Sequence, residues 1–196
     1  SDTLHGAKNR RSRAGRTHMT ATALQVVRCD FDRHAVRILE ILNEAIVNST
    51  ALYDYDQRPL ASMRPWFDAK LACDYPVIGV EDASGVLMGF ATYGVFRARP
   101  AYKYSVEHSV YVHEHHRGKG VGKLLLQQLI NVAKAQEYHI LVGGIDAQNA
   151  PSIALHERLG FRHAGTINHA GFKFGRWLDL AFYQLTLDTP RRPVDG

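Results

Sequence analysis

The residues best suited to chemistry gather between Val110 and Ile130, where the chain reads VYVHEHHRGKGVGKLLLQQLI. An alternating apolar run stops. Arg117, Gly118, Lys119, Gly120, Val121, Gly122 and Lys123 follow, and an amphipathic stretch begins. Glycine lets a backbone turn tightly and lets a ligand approach without a Cβ in the way. A helix that starts at such a point presents unpaired N–H groups and the positive end of its dipole. Arg117, Lys119 and Lys123 add charge. The spacing is neither G-x-x-x-x-G-K-[ST] nor G-x-G-x-x-G, which sets aside a P-loop and a dinucleotide fingerprint. The glycines alone would suit an ordinary connector. Between a strand and a helix they favour a pyrophosphate.

A second set of residues could move protons. In YSVEHSVYV, period 2 puts Tyr104, Val106, His108, Val110 and Val112 on one face and Ser105, Glu107, Ser109 and Tyr111 on the other. Glu107 is then either a solvent-facing strand residue or a carboxylate whose burial raises its pKa toward that of a useful base. His156 shares a helical stripe with Ser152, Leu155 and Leu159, where a packing role is equally open, and Asn149 stands where that helix needs a cap. Upstream, FRARPAY supplies Arg97, Arg99 and Tyr102. Arginine suits a carboxylate through bidentate pairing, although a solvated charged loop reads the same way. His108, His113, His115 and His116 lack the thiols or further carboxylates that would complete a metal site, Glu107 and Glu114 apart. No metal is expected.

These groups need elements to position them. The periodicities predict a short strand over Leu24–Cys29 and a helix over Arg33–Val47 capped by Asp30 or Asp32. A polar, tyrosine-rich loop follows over Thr50–Pro59, then a helix over Ser62–Ala72. VIGVED and VLMGFATYGV, joined by ASG, read as a hairpin. Then come the Glu107 strand, a helix to about Gln136, the strand HILVGGI, a helix over Ala150–Leu159 with Pro151 in its first turn, and the strands FRHAGTIN and WLDLAFYQLTL. Interspersed strands and helices without a repeat predict one α/β domain, a single mixed sheet flanked by helices, over residues 19–190. Residues 191–196 read as a frayed tail.

The chain has 196 residues, 45% hydrophobic and 22% charged, enough for a sizeable core. Residues 1–18 hold five cations against Asp2 and so carry four of the five excess positive charges. They read as a disordered basic extension or tag. The nearly neutral remainder, with no aromatic platform beside the arm, argues against nucleic acid. No apolar run approaches the roughly 18 residues of a membrane helix. Two isolated cysteines, Cys29 and Cys73, suit a reducing cytoplasm.

The strand SVYV, the loop R-G-K-G-V-G and the amphipathic helix together resemble the acetyl-coenzyme A motif of the Gcn5-related N-acetyltransferases. NAPSIALHERLGF and AGFKFGRWLDLAFYQL are similar to segments of its phosphinothricin and methionine sulfoximine acetyltransferases, and the likeness runs from Leu24 to Leu187, least over Thr50–Lys70. The resemblance implies acetyl-CoA as cosubstrate, with its pyrophosphate on Arg117–Lys123, its pantetheine along Val110, Tyr111 and Val112, and further contacts from Asn149 and Ser152. It implies Glu107 as general base, His156 as a second acid/base near the sulfur, and the Val112 N–H as oxyanion donor. For the acceptor it implies Tyr53, Arg97, Arg99, Tyr102, Phe172, Lys173 and Trp177 around a small amino acid analogue, in a homodimer. Arg97 stands where relatives can carry lysine, and Tyr104 where some carry tryptophan, which leaves the preferred side-chain group open. A peptide N-terminal acetyltransferase and a non-catalytic acyl-CoA-binding module are the competing readings.

Overall fold

The computed structural model describes residues 23–196; the basic arm over 1–18 lies outside the described residues. Strand β1 (Gln25–Arg28) leads into helix α1 (Phe31–Asn48), and helix α2 (Met63–Ala72) follows a polar loop. Strands β2 (Val77–Glu81), β3 (Leu87–Val95) and β4 (Ser105–Val112) form a meander. Helix α3 (Val121–Ala135), strand β5 (Ile140–Asp146), helix α4 (Ala150–Arg158) and strands β6 (Arg162–Lys173) and β7 (Arg176–Thr186) complete the chain. The sheet order is β1-β2-β3-β4-β5-β7-β6. Its β4–β5 pair is parallel and the other neighbours are antiparallel.

Local chemistry explains most boundaries. Asp30 caps α1 by accepting the Arg33 N–H at 2.8 Å, so the helix starts two residues before Arg33. Its buried stripe Ala35, Ile38, Ile41, Leu42, Ala45 and Ile46 packs with α2 on one face of the sheet. The stripe of α3, with Leu125, Leu126, Leu129 and Ala133 all fully buried, packs on the other. Strand β6 runs five residues past Asn168, with register shifts at His163/Gly165 and Ile167/Gly171. Its strand pattern is blurred because nearly every side chain along it is exposed, so alternation carries no signal there. Residues 191–196 are exposed and form no helix or strand; within them the Val194 N–H donates to the Tyr104 hydroxyl at 3.1 Å.

The central feature of the sheet is a fork. Strand β4 pairs with β5 at Ser105↔Ile140, Val106↔Leu141 and Glu107↔Val142, and no further. Yet β4 stays with β3 as far as Gly89↔Val112, and β5 stays with β7 as far as Asp146↔Leu180. Each strand is held by its outer neighbour and released from its inner one. The His113 N–H donates to the Met88 carbonyl at 2.8 Å. Because antiparallel rungs alternate, Tyr111 and Ser109 also face β3, while the Val110 and Val112 N–H groups face the opening.

A second device ties the closing hairpin to α1. Lys173 is buried, and its Nζ donates to the carbonyls of Ile46, Ser49 and Leu52 at 2.7, 2.9 and 2.7 Å. These are orphan acceptors at and beyond the C-terminal end of α1, where a cation is also favoured by the helix dipole. Burial pulls the Lys173 pKa down. Lys173→Met should lower the free energy of unfolding by roughly 2–3 kcal/mol, since carbonyls lose a charged donor that water replaces only in part. Urea titration checks this, and an unchanged midpoint would contradict the capping role.

Candidate active site

Glu107 stands at the last paired position before the fork. Its side chain lies on the α1–α2 face, with Oε1 3.5 Å from where a Gly144 Cβ would be. That glycine leaves room for the carboxylate to lean across the opening. Burial raises the Glu107 pKa, and the nearby Arg97 guanidinium opposes that rise. Burial therefore makes the carboxylate a stronger base than a solvated one.

On the opposite face the fork is backed by two histidines. His108 and His156 are both buried, with Nε2 atoms 2.9 Å apart and rings stacked at 5.2 Å between centroids. His156 Nδ1 meets the Ser152 carbonyl at 2.8 Å, so both of its ring nitrogens are engaged within the protein. His108 Nδ1 is buried without a partner. Burial, and secondarily His156, push the His108 pKa well down; the Val142 backbone pulls the other way, yet does not meet hydrogen-bond geometry at Nδ1. Burial also lowers the His156 pKa against the Ser152 carbonyl. Gly143 is required here, because a Cβ would come within 3.0 Å of His108 Nε2 and 3.2 Å of His156 Nε2. Sequence reasoning singled out His156 and missed its partner, for the two lie 48 residues apart. Their common signal was a histidine on an otherwise apolar face.

The anion loop closes the far end of the fork. Gly118 and Gly120 adopt φ of 74° and 80°, which favours glycine, and a Cβ at either would meet open space. Gly120 is the N-cap of α3 and supplies no side-chain cap, so the first-turn amides of Val121, Gly122 and Lys123 are left for a ligand. A Cβ at Gly122 would meet Leu155 and Val112 at ordinary contact distance, so the helix start lies beside both the strand and α4. This cradle fits a pyrophosphate, and the Val110 and Val112 amides fit the amide-bearing arm of coenzyme A. The Arg117 guanidinium is paired with Glu44 of α1 at 2.8 Å and stays exposed, as do Lys119 and Lys123. The Ser152 N–H is capped by Asn149 Oδ1 at 3.2 Å, so both residues first serve α4. Among the described residues no group of three or more His, Cys, Asp or Glu side chains is arranged to hold a metal.

The expected acceptor residues divide into two sets. Arg97 lies over the Phe96 ring at 4.5 Å and donates to its carbonyl, and Tyr102 meets the same ring edge-on at 5.6 Å. With Arg99, Pro100 and Tyr138 they border a cavity of about 220 Å³ at the base of β4. Tyr53 lies flat against Gly171, where a Cβ would be 2.7 Å from its ring. The loop carrying Tyr53 is stitched down by Tyr55, whose hydroxyl donates to the Phe172 carbonyl at 2.7 Å, and by Thr50, which donates to buried Asp146 at 2.5 Å. The expectation for Lys173 is corrected, since all three of its protons are spent on α1 and its loop and none is left for a substrate. Phe172 and Trp177 pack edge-on at 5.0 Å but stay 46% and 58% exposed, so within one chain they do not close the site.

The cradle makes a direct prediction. Alanine at Gly118 and Gly120 together would have to sit at positive φ, at a cost of about 1–2 kcal/mol each, or release the loop. Calorimetry should show coenzyme A binding weakened at least about tenfold. Unchanged affinity would mean that the loop amides do not hold the ligand.

The comparisons agree with this geometry. Residues 37–161 match the profile described as the Acetyltransferase (GNAT) family. The L-methionine sulfoximine/L-methionine sulfone acetyltransferase of Pseudomonas paraeruginosa is 47% identical over 79% of this chain and 90% of its own length. The phosphinothricin N-acetyltransferase of Streptomyces viridochromogenes is 35% identical over 80% and 86%. The structure of YncA from Salmonella typhimurium, solved with its cofactor acetyl-CoA, superposes with a TM-score of 0.84 at 38% identity, over 89% of this chain and all of that one. An N-acetyltransferase using acetyl-CoA is what the fork and cradle require, and the chain belongs to the GNAT family of acetyltransferases.

Proposed function

We propose that the enzyme acetylates the α-amine of a small amino acid analogue of the phosphinothricin, methionine sulfoximine or methionine sulfone type. The observation that carries this reading is Glu107, a carboxylate made more basic by burial at the mouth of the fork. The acceptor enters as an ammonium, and Glu107 takes its proton directly or through a water. The neutral amine then attacks the thioester carbon. The oxyanion needs a backbone donor close to that event. The Val112 amide lies about 16 Å along the strand from Glu107, and Val110 about 10 Å. A carboxylate, one water and the reacting atoms together span about the shorter distance, so Val110 takes the oxyanion and Val112 the pantetheine.

Arg97, close enough to Glu107 to oppose its pKa rise, places a positive charge beside the base. That suits an acceptor whose carboxylate sits one carbon from its amine. Arg99 and Tyr102 border one cavity with Arg97, and Tyr53 supplies an aromatic wall. This favours a small acid over a peptide N-terminus, and a bare acyl-CoA-binding module has no use for a base. The exposed Phe172, Phe174 and Trp177 hairpin supports a homodimer in which the partner completes the site. The free thiols of Cys29 and Cys73 support a reducing cytoplasm.

A thiol-release assay with acetyl-CoA tests the reading, run on the three analogues, free amino acids and short peptides. The analogues should turn over, and turnover of peptides alone would overturn it. The base must be ionised to work, so kcat/KM falls as pH falls through the Glu107 pKa, above the ordinary carboxylate value of 4.5. Glu107→Gln should cost about 10²–10³-fold and abolish that acid limb. A Gln variant with the wild-type profile would remove Glu107 from the mechanism.

A further inference from the structure

The buried histidine pair constrains the proton inventory on the sulfur side of the fork. The Ser152 carbonyl can only accept, so His156 carries its proton on Nδ1 and turns a lone pair at Nε2 toward His108. At 2.9 Å that lone pair needs a donor, so His108 carries its own proton on Nε2. Both imidazoles are then neutral and every N–H is used. A further proton would have to go on His108 Nδ1, which is buried without a hydrogen-bond partner; the Val142 backbone favours such a proton, but burial outweighs it. Gly143, bare of a Cβ, lets this pair press against β5 at the first residue past the fork. The groups around the pair do not change the inventory. Phe161 covers it, at 5.2 Å from the His108 ring and 5.0 Å from that of His156. Tyr183, opposite Gly143 on β7, meets the His163 ring at a tilt, with centroids 5.3 Å apart. Glu107 lies across the sheet, on the α1–α2 face, and Glu157 of α4 is exposed.

We propose that His108 is a positioning residue that occupies the His156 Nε2 lone pair while the Ser152 carbonyl holds the Nδ1 proton, so that the pair serves the reaction as one uncharged unit and gives no imidazolium proton to the departing sulfur. The inference rests on the acetyl-transfer reading above. The protons balance without an acid from the pair. The ammonium gives one proton to Glu107, and the nitrogen attacks the carbonyl carbon. As the tetrahedral intermediate collapses, the C–S bond breaks, and the second proton shed by nitrogen passes to the thiolate. The pair shapes the apolar wall behind the thioester and keeps positive charge out of it.

Nitrogen-15 NMR of the resting enzyme, with His108→Gln and His108→Leu alongside, tests the pairing without any turnover. The wild type should show His156 protonated at Nδ1 alone and His108 at Nε2 alone, unchanged from pH 5.5 to 8. Both variants keep the Ser152 carbonyl and so the Nδ1 proton; His108→Gln should also keep the His156 Nε2 signal of a hydrogen-bonded lone pair, whereas His108→Leu should shift it to that of an unbonded one. In turnover, His108→Leu should lower kcat by tenfold or more with the KM for acetyl-CoA little changed, and His108→Gln should recover most of the loss. A general acid at His156 would produce a basic limb in kcat/KM, so that limb should survive in His156→Gln. An imidazolium at neutral pH, or loss of the basic limb in that variant, would overturn the proposal. Inactivity on every amine with the NMR result intact would instead count against the acceptor assignment.

Discussion

The separation of β4 from β5 after three residue pairs is the constraint on which the site depends. A parallel pair that stops midway leaves backbone donors and acceptors without rungs, at a cost of about 1–3 kcal/mol for each that stays buried and unmet. The sheet tolerates this because β3 and β7 hold the two strands from outside along their full length. The opening is therefore rigid rather than loose. A ligand with its own amide groups can take the place of the missing strand, which is what the pantetheine arm of coenzyme A offers. The phosphates then fall at the end of β4, where the Gly118–Lys123 turn starts a helix with uncapped amides.

Strand alternation gives the fork two different faces. Glu107 reaches the α1–α2 side, where the Arg97 charge acts on it, while the next residue, His108, turns to the α3–α4 side and meets His156. One face carries the carboxylate. The other carries the histidine pair, backed by α3 and Phe161. The acceptor side is set by long-range ties. Lys173 fastens the β6–β7 hairpin to the end of α1, and Thr50 fastens the α1–α2 loop to Asp146. Tyr53 sits between these two anchors, against a glycine with no room for a Cβ. Its placement is a consequence of tertiary contacts rather than of its own loop.

Much of this was legible in the chain. Period 2 assigned the two faces of β4 correctly, Asp30 announced α1, and R-G-K-G-V-G located the anion cradle between a strand and a helix. What stayed hidden were long-range pairings. Lys173 looks like any loop cation until it meets three carbonyls more than a hundred residues earlier. The pairing of Arg117 with Glu44 of α1, 73 residues earlier, was equally unreadable. His108 looks like a stray polar residue in a core strand until His156 arrives from α4. Composition and periodicity report which face a residue occupies, and they are silent on which partner it finds there. The length of β6 was hidden for the opposite reason, since its exposed residues carry no alternation to read.

The central claim is that coenzyme A replaces a strand between β4 and β5. Residue-resolved amide exchange on the free and acetyl-CoA-bound enzyme tests it most directly. The account predicts that Val110 and Val112 exchange fast in the free enzyme and become protected on binding. Ser109 and Tyr111, already bonded to β3, should be slow in both states. Protection confined to other amides, with Val110 and Val112 unchanged, would contradict it.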